Sequence, residues 1–284
     1  MGIVYLNGRY LPIEEAMVPV LDRGFIYGDG VYELVPVYNR KPFRMAEHLV
    51  RLKNSMDRIR LTNPHSDGEW ADILGRVVAE HPFDNQGVYF QVTRGVAKRD
   101  HAFPQGVTPT VFMMSNPLAT PTADVVANGV ACVTSVDERW LNCDIKSISL
   151  LGNVLMRQLA ADNDAVETVM FRDGFLTEAS ASNVLVVRDG VVLAPPKDRM
   201  ILPGITYGAI YDFARQGGMP FEIRPIRESE VWKADELWLS SSTKEVVAIV
   251  TLDGRPVGHP SHAGRPGPLV KRMHALFQAA KAAL

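Results

Sequence analysis

The sequence predicts an α+β protein of two domains, and three observations carry the prediction. Asn-Gly or Asp-Gly pairs stand between apolar or β-branched runs at Asn7-Gly8, Asp173-Gly174, Asp189-Gly190 and Asp253-Gly254. Such pairs supply the positive φ that a two-residue hairpin needs. Segments with apolar residues at helical spacing are interleaved with these hairpins. One stretch, Ser115-Asn116-Pro117-Leu118-Ala119-Thr120-Pro121-Thr122, joins two prolines to small polar residues, the composition of an interdomain linker. The expected organisation is a small N-terminal α+β domain over residues 1–115, a linker over 116–122, and a larger α+β domain over 123–284.

The elements follow in chain order. Leu49, Leu52, Met56 and Ile59 recur at roughly helical spacing in the segment Glu47 to Leu61. Trp70 to Glu80 is a second helix. Gly87 to Thr93 is β-rich and is followed by strand-like Thr110 to Met114. Gly152 to Asp162 repeats the helical pattern with Leu155 and Leu159. Val169 to Ala194 reads as consecutive antiparallel strands. Ile205 to Gln216 reads as a helix that stops at Gly217-Gly218, and Leu269 to Ala283 as another.

Composition excludes several classes. A formal net charge of −2 leaves no excess of cations to neutralise phosphates, which argues against nucleic-acid binding. Apolar runs such as Val184 to Val187 are far short of a membrane span. Met1 to Tyr10 lacks the basic start and continuous apolar stretch of a signal peptide. The two cysteines, Cys132 and Cys143, predict small buried side chains rather than a disulfide framework. These features place the protein in the cytoplasm. No metal site is expected, because His259 and His262 lie among proline and glycine without a cysteine or carboxylate cluster.

Five segments could carry chemistry, each with a plainer alternative. Asp22 to Glu33 contains Gly28-Asp29-Gly30, but it lacks the third glycine and the following helix of a dinucleotide fingerprint, so it reads as a glycine turn with aromatic residues entering the core. Arg94 to His101 is cationic. Arg99 there offers a two-pronged donor to a carboxylate, and a solvated basic loop has the same composition. Cys143-Asp144-Ile145-Lys146-Ser147 sets a lysine in a semi-apolar stretch. A desolvated neutral amine attacks an aldehyde, although many such lysines snorkel to solvent. Thr177 to Asn183 surrounds Glu178 with small residues, so a planar ring could approach, or the segment could be a polar connection. Leu202-Pro203-Gly204-Ile205-Thr206 opens a helix whose N–H groups and dipole suit phosphate, or it is an ordinary cap.

The order of these segments resembles the fold-type IV pyridoxal-phosphate enzymes, the fold shared by D-amino-acid and branched-chain aminotransferases. The likeness to bacterial D-amino-acid transaminases is closer. It is densest at Asp22 to Glu33, Glu47 to Leu52, Tyr89 to Pro104, Arg139 to Gly152, Thr177 to Val184, Ile201 to Thr206 and Asp235 to Glu245. The resemblance implies that Lys146 holds pyridoxal 5′-phosphate covalently and shuttles the proton during transfer. Glu178 would pair with the ring nitrogen, and Arg139 would lie near the phenolic oxygen. Leu202 would pack on the ring face. Arg51, Ile205, Thr206 and Ser242 would bind the phosphate. Tyr32, Arg99 and His101 match a trap for the substrate α-carboxylate, the last two donated by a second subunit. That implies a homodimer exchanging amino groups between D-amino acids, of the D-alanine and D-glutamate type, and 2-oxo acids by a ping-pong route. Ala179, Ala181 and Pro203 depart from close relatives without removing a reacting group. An (R)-selective amine transaminase, an aminodeoxychorismate lyase, or a non-catalytic pyridoxal-phosphate-binding protein remain alternative readings.

Overall fold

A computed structural model describes residues 2–284, and the chain divides into two compact units. The first runs to Ala119 and takes in Ile145–Leu150 and Leu284. The second comprises Thr120–Asp144 and Leu151–Ala283.

The first unit contains β1 (Ile3–Leu6), β2 (Arg9–Pro12), the short helix α1 (Arg23–Tyr27), β3 (Gly30–Tyr38), β4 (Lys41–Pro42), helices α2 (Met45–Arg58) and α3 (Asp67–Ala79), β5 (Gln86–Thr93) and β6 (Thr110–Pro117). Its six strands form one antiparallel sheet in the order β2-β1-β6-β5-β3-β4. Strand alternation turns Val31, Glu33, Val35 and Val37 inward, where all four are fully buried. Helix α2 lays Leu49, Leu52 and Met56 into the same core, as its periodicity predicts. Helix α3 begins at Asp67 rather than at Trp70. Ser66 accepts from the Glu69 N–H while the Glu69 carboxylate accepts from the Ser66 N–H, so this capping box sets the start. In the Asp22 to Glu33 segment, Asp22 caps α1 and Gly28 ends it in the left-handed region. Phe25 points outward at 76% exposure instead of entering the core.

Two sequence expectations about boundaries change. Asn116 and Pro117 are the last rungs of β6, paired with Gly87 and Gln86, so the strand takes the first residues assigned to the linker. Proline is tolerated there because β1 pairs β6 only at Phe112 and Met113, leaving the Pro117 nitrogen without a ladder partner to lose. The segment bearing Lys146 belongs to the first unit, not to the C-terminal one. Its backbone is stitched to β3: the Tyr32 N–H donates to the Lys146 carbonyl at 2.9 Å, and the Ile148 N–H donates to Gly30 at 3.1 Å. The Lys146 N–H donates to Ser55 Oγ of α2 at 3.1 Å.

The second unit contains α4 (Ala123–Asn128), β7 (Val130–Val136), α5 (Leu151–Asp162), β8 (Glu167–Arg172), β9 (Phe175–Ala179), β10 (Asn183–Arg188), β11 (Val191–Ala194), α6 (Ile205–Gln216), β12 (Phe221–Ile223), α7 (Glu228–Val231), β13 (Glu236–Ser241), β14 (Glu245–Leu252), β15 (Arg255–Pro256) and α8 (Pro268–Ala282). Its mixed sheet runs β12-β11-β10-β13-β14-β7-β8-β9, with β15 paired to β14. The hairpins at Asn7-Gly8, Asp173-Gly174, Asp189-Gly190 and Asp253-Gly254 all form, with both turn residues at positive φ. The expected run of consecutive antiparallel strands breaks once. β9 ends the sheet at one edge while β10 pairs β11 and β13, and Ser180 to Ser182 carry the chain across. Cys132 and Cys143 are buried free thiols, as predicted.

Candidate active site

In the first unit, Lys146 is half-buried and its Nζ lies 4.1 Å from the centroid of the Tyr32 ring. Among the described residues no carboxylate forms an ion pair with it. A lysine placed over an aromatic face without a counter-ion suits an amine that forms a covalent bond to a carbonyl compound.

Arg51 is fixed from below. Its Nε and Nη2 each donate to one oxygen of Glu33 at 2.8 Å, a two-pronged pair. His48 Nδ1 lies 2.7 Å from Glu33 Oε2. Burial alone would raise the Glu33 carboxyl, but Arg51 and His48 hold it far below the usual carboxylate range. Burial pushes the His48 imidazole down despite the facing Glu33. Arg51 is thereby a rigid, charged guanidinium whose rotamer is set by its neighbours.

In the second unit, Glu178 stands one residue before the end of β9 and is buried. Its Oε1 accepts from Arg139 Nη1 at 2.6 Å, and its Oε2 accepts from Asn183 Nδ2 and the Leu202 N–H, each at 3.1 Å. Arg139 divides itself, because Nε and Nη2 donate to Asp137 at 2.9 Å. Arg172 and Thr177 also hold Asp137. Burial pushes the Glu178 carboxyl up to about 7, against the pull of Arg139. A second positive group facing Glu178 would therefore be favoured, and a protonated ring nitrogen is such a group.

Helix α6 starts at Ile205 without a side-chain cap on its first N–H groups. The N-cap is Gly204, and a Cβ there would sit 2.0 Å from Asn183 Oδ1. Asn183 Nδ2 also donates to the Leu202 carbonyl at 2.9 Å, so one side chain ties Glu178 to the helix start. Thr206 is buried and Ile205 half-buried. Ser242 lies half-buried in the turn between β13 and β14, where the Lys244 N–H donates to Ser241 Oγ. Ser240, in register with Asn183, has a buried Oγ with no hydrogen-bond partner among the described residues. An unpartnered hydroxyl, an uncapped helix start and a glutamate lacking a full cation complement fit a bound phosphorylated pyridine.

Arg99 and His101 sit in the exposed loop between β5 and β6. The Arg99 guanidinium lies 5.6 Å from the Tyr27 ring centroid, and the His101 ring 5.4 Å from it. No contact among the described residues joins either one to Tyr32 or Lys146.

With this geometry in hand, comparison with known proteins is decisive at the level of family: residues 30–252 match the model for amino-transferase class IV. The chain belongs to that family. Curated relatives include the D-alanine aminotransferase of Bacillus licheniformis, 37% identical over 275 residues, covering 97% of this chain and 95% of that protein. The D-alanine aminotransferase of Listeria monocytogenes (strain 10403S) is 38% identical over 281 residues, covering 96% and 94%. Among solved structures, the Escherichia coli branched-chain amino acid aminotransferase superposes with a TM-score of 0.90 at 24% identity, covering 98% of this chain and 94% of that one. The T.th. branched-chain amino acid aminotransferase, solved with pyridoxamine 5′-phosphate, gives 0.91 at 24% identity, covering 99% and 94%. These two likenesses establish the class IV fold.

The sequence reading missed Glu33, His48, Asp137 and Asn183. Glu33 had a signal, since it is the one charged residue among the inward positions of β3. His48 and Arg51 stand three apart beside the apolar stripe of α2, which puts both on its buried side. Asp137 had none, because its partners come from distant segments.

Proposed function

We propose that this chain exchanges amino groups between D-amino acids and 2-oxo acids, with pyridoxal 5′-phosphate as cofactor and Lys146 as its attachment point. The observation that carries this reading is identity of 37–38% with D-alanine aminotransferases along nearly the whole chain. The cofactor supplies an aldehyde and an electron-withdrawing ring. Lys146 Nζ would hold the cofactor, and its freed amine would move the proton at the substrate Cα. Glu178 would hold the ring nitrogen in its protonated state, and Arg139, which braces that carboxylate, would lie near the ring's phenolic oxygen. Leu202 packs on the ring. Arg51, held rigid by Glu33, offers its charge to the phosphate, as do the N–H groups of Ile205 and Thr206 and the Ser242 hydroxyl.

Tyr32, Arg99 and His101 bind the substrate α-carboxylate. Arg99 and His101 come from a second copy, so the enzyme is a homodimer working in the cytoplasm. Large apolar side chains support an unfilled interface: Met17, Val20 and Phe25 are each more than 70% exposed, and Val96, bridged to Asp22, is 42% exposed. The domains follow the two compact units, with the segment after β6 as their connection.

The test is an absorbance titration of the holoenzyme with D-alanine and, separately, L-alanine. D-alanine alone should convert the violet-absorbing form to the pyridoxamine form, and Lys146→Ala should abolish the conversion. Conversion by L-alanine instead would overturn the assignment of Arg99 and His101.

A further inference from the structure

The loop bearing Arg99 and His101 spans residues 94–109 and contains no helix or strand. Loops of that length are usually mobile unless something outside them fixes their conformation. Here the base is fixed by backbone. Gly95 adopts φ +96°, and a Cβ on it would lie 2.0 Å from the Thr108 carbonyl, so the two arms of the loop touch at the neck. The Arg23 N–H donates to the Gly95 carbonyl at 2.9 Å, and the Arg94 N–H donates to Asp29 at 3.0 Å. Beyond the neck, residues 98–103 are all exposed, and backbone pairing to the rest of the unit ends at Ala97.

The tip is instead held from underneath by side chains that are themselves buried. Arg23 is 3% exposed. Its Nε donates to Asp29 Oδ2 at 2.7 Å, its Nη1 to the Asp100 carbonyl at 2.5 Å, and its Nη2 to the His101 carbonyl at 3.5 Å. One planar guanidinium thus spans from a fixed carboxylate to the two carbonyls that bracket the His101 peptide. Asp29 is held in turn by Arg94, which donates to both its oxygens at 2.8 and 3.0 Å and to the carbonyls of Ile59 and Arg60. Burial would raise the Asp29 carboxyl, yet Arg94 and Arg23 hold it below the usual range. Two aromatic platforms complete the support. The Arg94 guanidinium lies 3.7 Å from the Phe103 ring centroid, and the Tyr27 ring, with Arg23 at 4.8 Å, receives Arg99 and His101.

We propose that the Asp29–Arg23 pair, its arginine buried and its carboxylate braced by Arg94, is a positioning device. It sets Arg99 and His101 at the geometry that captures a substrate carboxylate, without touching substrate or cofactor. The inference rests on the carboxylate-binding role of Arg99 and His101 given above. An exposed arginine and histidine free to sample many rotamers bind a carboxylate weakly, because binding must first order them. Fixing the carbonyls on either side of the His101 peptide places that ordering in the folded protein. The pair is therefore a determinant of substrate affinity rather than of the chemical step.

The experiment compares holoenzymes carrying Arg23→Met, Asp29→Asn and Arg99→Ala in steady-state assays with D-alanine as donor. Hydrogen exchange is read at the amides of residues 98–103, and bound-cofactor absorbance is recorded for each. Arg23→Met should raise KM for D-alanine about tenfold, as expected for one lost charge-assisted contact, with kcat and cofactor absorbance close to wild type. Exchange at the loop tip should quicken. Asp29→Asn should move both readouts in the same direction by less, and serves where Arg23→Met does not fold. Unchanged KM and exchange in the folded variants, alongside a raised KM in Arg99→Ala, would overturn the positioning role alone. An unchanged KM in Arg99→Ala would overturn the carboxylate trap itself. A joint fall in kcat, cofactor absorbance and thermal stability would reduce Arg23 to a fold-stabilising residue.

Discussion

Replacing Glu178 by glutamine in the cofactor-free protein should change how stability depends on pH, by an amount the structure fixes. Glu178 is buried, and burial lifts its carboxyl from an ordinary 4.5 to about 7. Between those two values the folded protein binds a proton that the unfolded chain releases, so stability falls as pH rises. The contribution is complete below about pH 4.5, declines through the window and is flat above about pH 7. A shift of roughly 2.5 units corresponds to about 3 kcal/mol. Glutamine keeps the shape and the acceptor for Arg139 but does not titrate. The stability of wild type relative to Glu178→Gln should therefore drop by about 3 kcal/mol from about pH 4.5 to about pH 8. Carboxylates held low elsewhere, such as Glu33, Asp29 and Glu167, lose stability in the opposite direction as pH falls, but they are common to both proteins and cancel. Calorimetric unfolding of both apoproteins across that range measures the difference. A pH-independent gap would refute the argument that burial outweighs Arg139 at this carboxylate.

Two further outcomes follow from the same geometry. Gly204→Ala drives a Cβ to within 2.0 Å of Asn183 Oδ1, so it should displace Asn183 from both Glu178 and Leu202. Faster loss of cofactor absorbance on dialysis, with the fold retained by circular dichroism, is the expected result. Glu33→Gln leaves Arg51 buried without its anion and should cost about 3–5 kcal/mol at neutral pH. Because the Glu33 carboxyl is held low, that cost should persist at mildly acid pH and shrink only as wild-type Glu33 itself protonates, which denaturant titrations at neutral and mildly acid pH can compare.

What could be read in the sequence depended on whether a feature is local. The four hairpins were legible because positive φ at Asn-Gly or Asp-Gly is a property of two adjacent residues. Helix α6 was legible to the residue, since Ile205 and Gly217 bound an amphipathic run. The unit to which Lys146 belongs was not legible. Its segment carries a single bridge, Val31 to Ser147, and its placement comes from hydrogen bonds to Tyr32, Gly30 and Ser55, distant in sequence. The separation of β9 from β10 was likewise invisible. It depends on Glu167, whose buried carboxylate accepts from Ser180 Oγ, Ser182 Oγ and the Ala181 N–H, closing the crossing segment on itself.

Each unit sets one buried glutamate against one arginine, and the two pairs are tuned oppositely by how the arginine is shared. Arg51 commits Nε and Nη2 to Glu33, and His48 adds a third hydrogen bond, so that carboxylate is fully compensated and its proton affinity collapses. Arg139 commits Nε and Nη2 to Asp137 and leaves Glu178 only Nη1. Asp137 also adds a like charge that raises the Glu178 carboxyl further. The first arrangement makes the arginine the useful group, because a saturated anion holds its guanidinium rigid for another ligand. The second makes the glutamate the useful group, because an under-compensated anion gains most from a new cation. A phosphate needs the former and a protonated ring nitrogen the latter. The allotment of guanidinium nitrogens between Glu33, Asp137 and Glu178 is thus what tunes two similar ion pairs oppositely, each within its own unit.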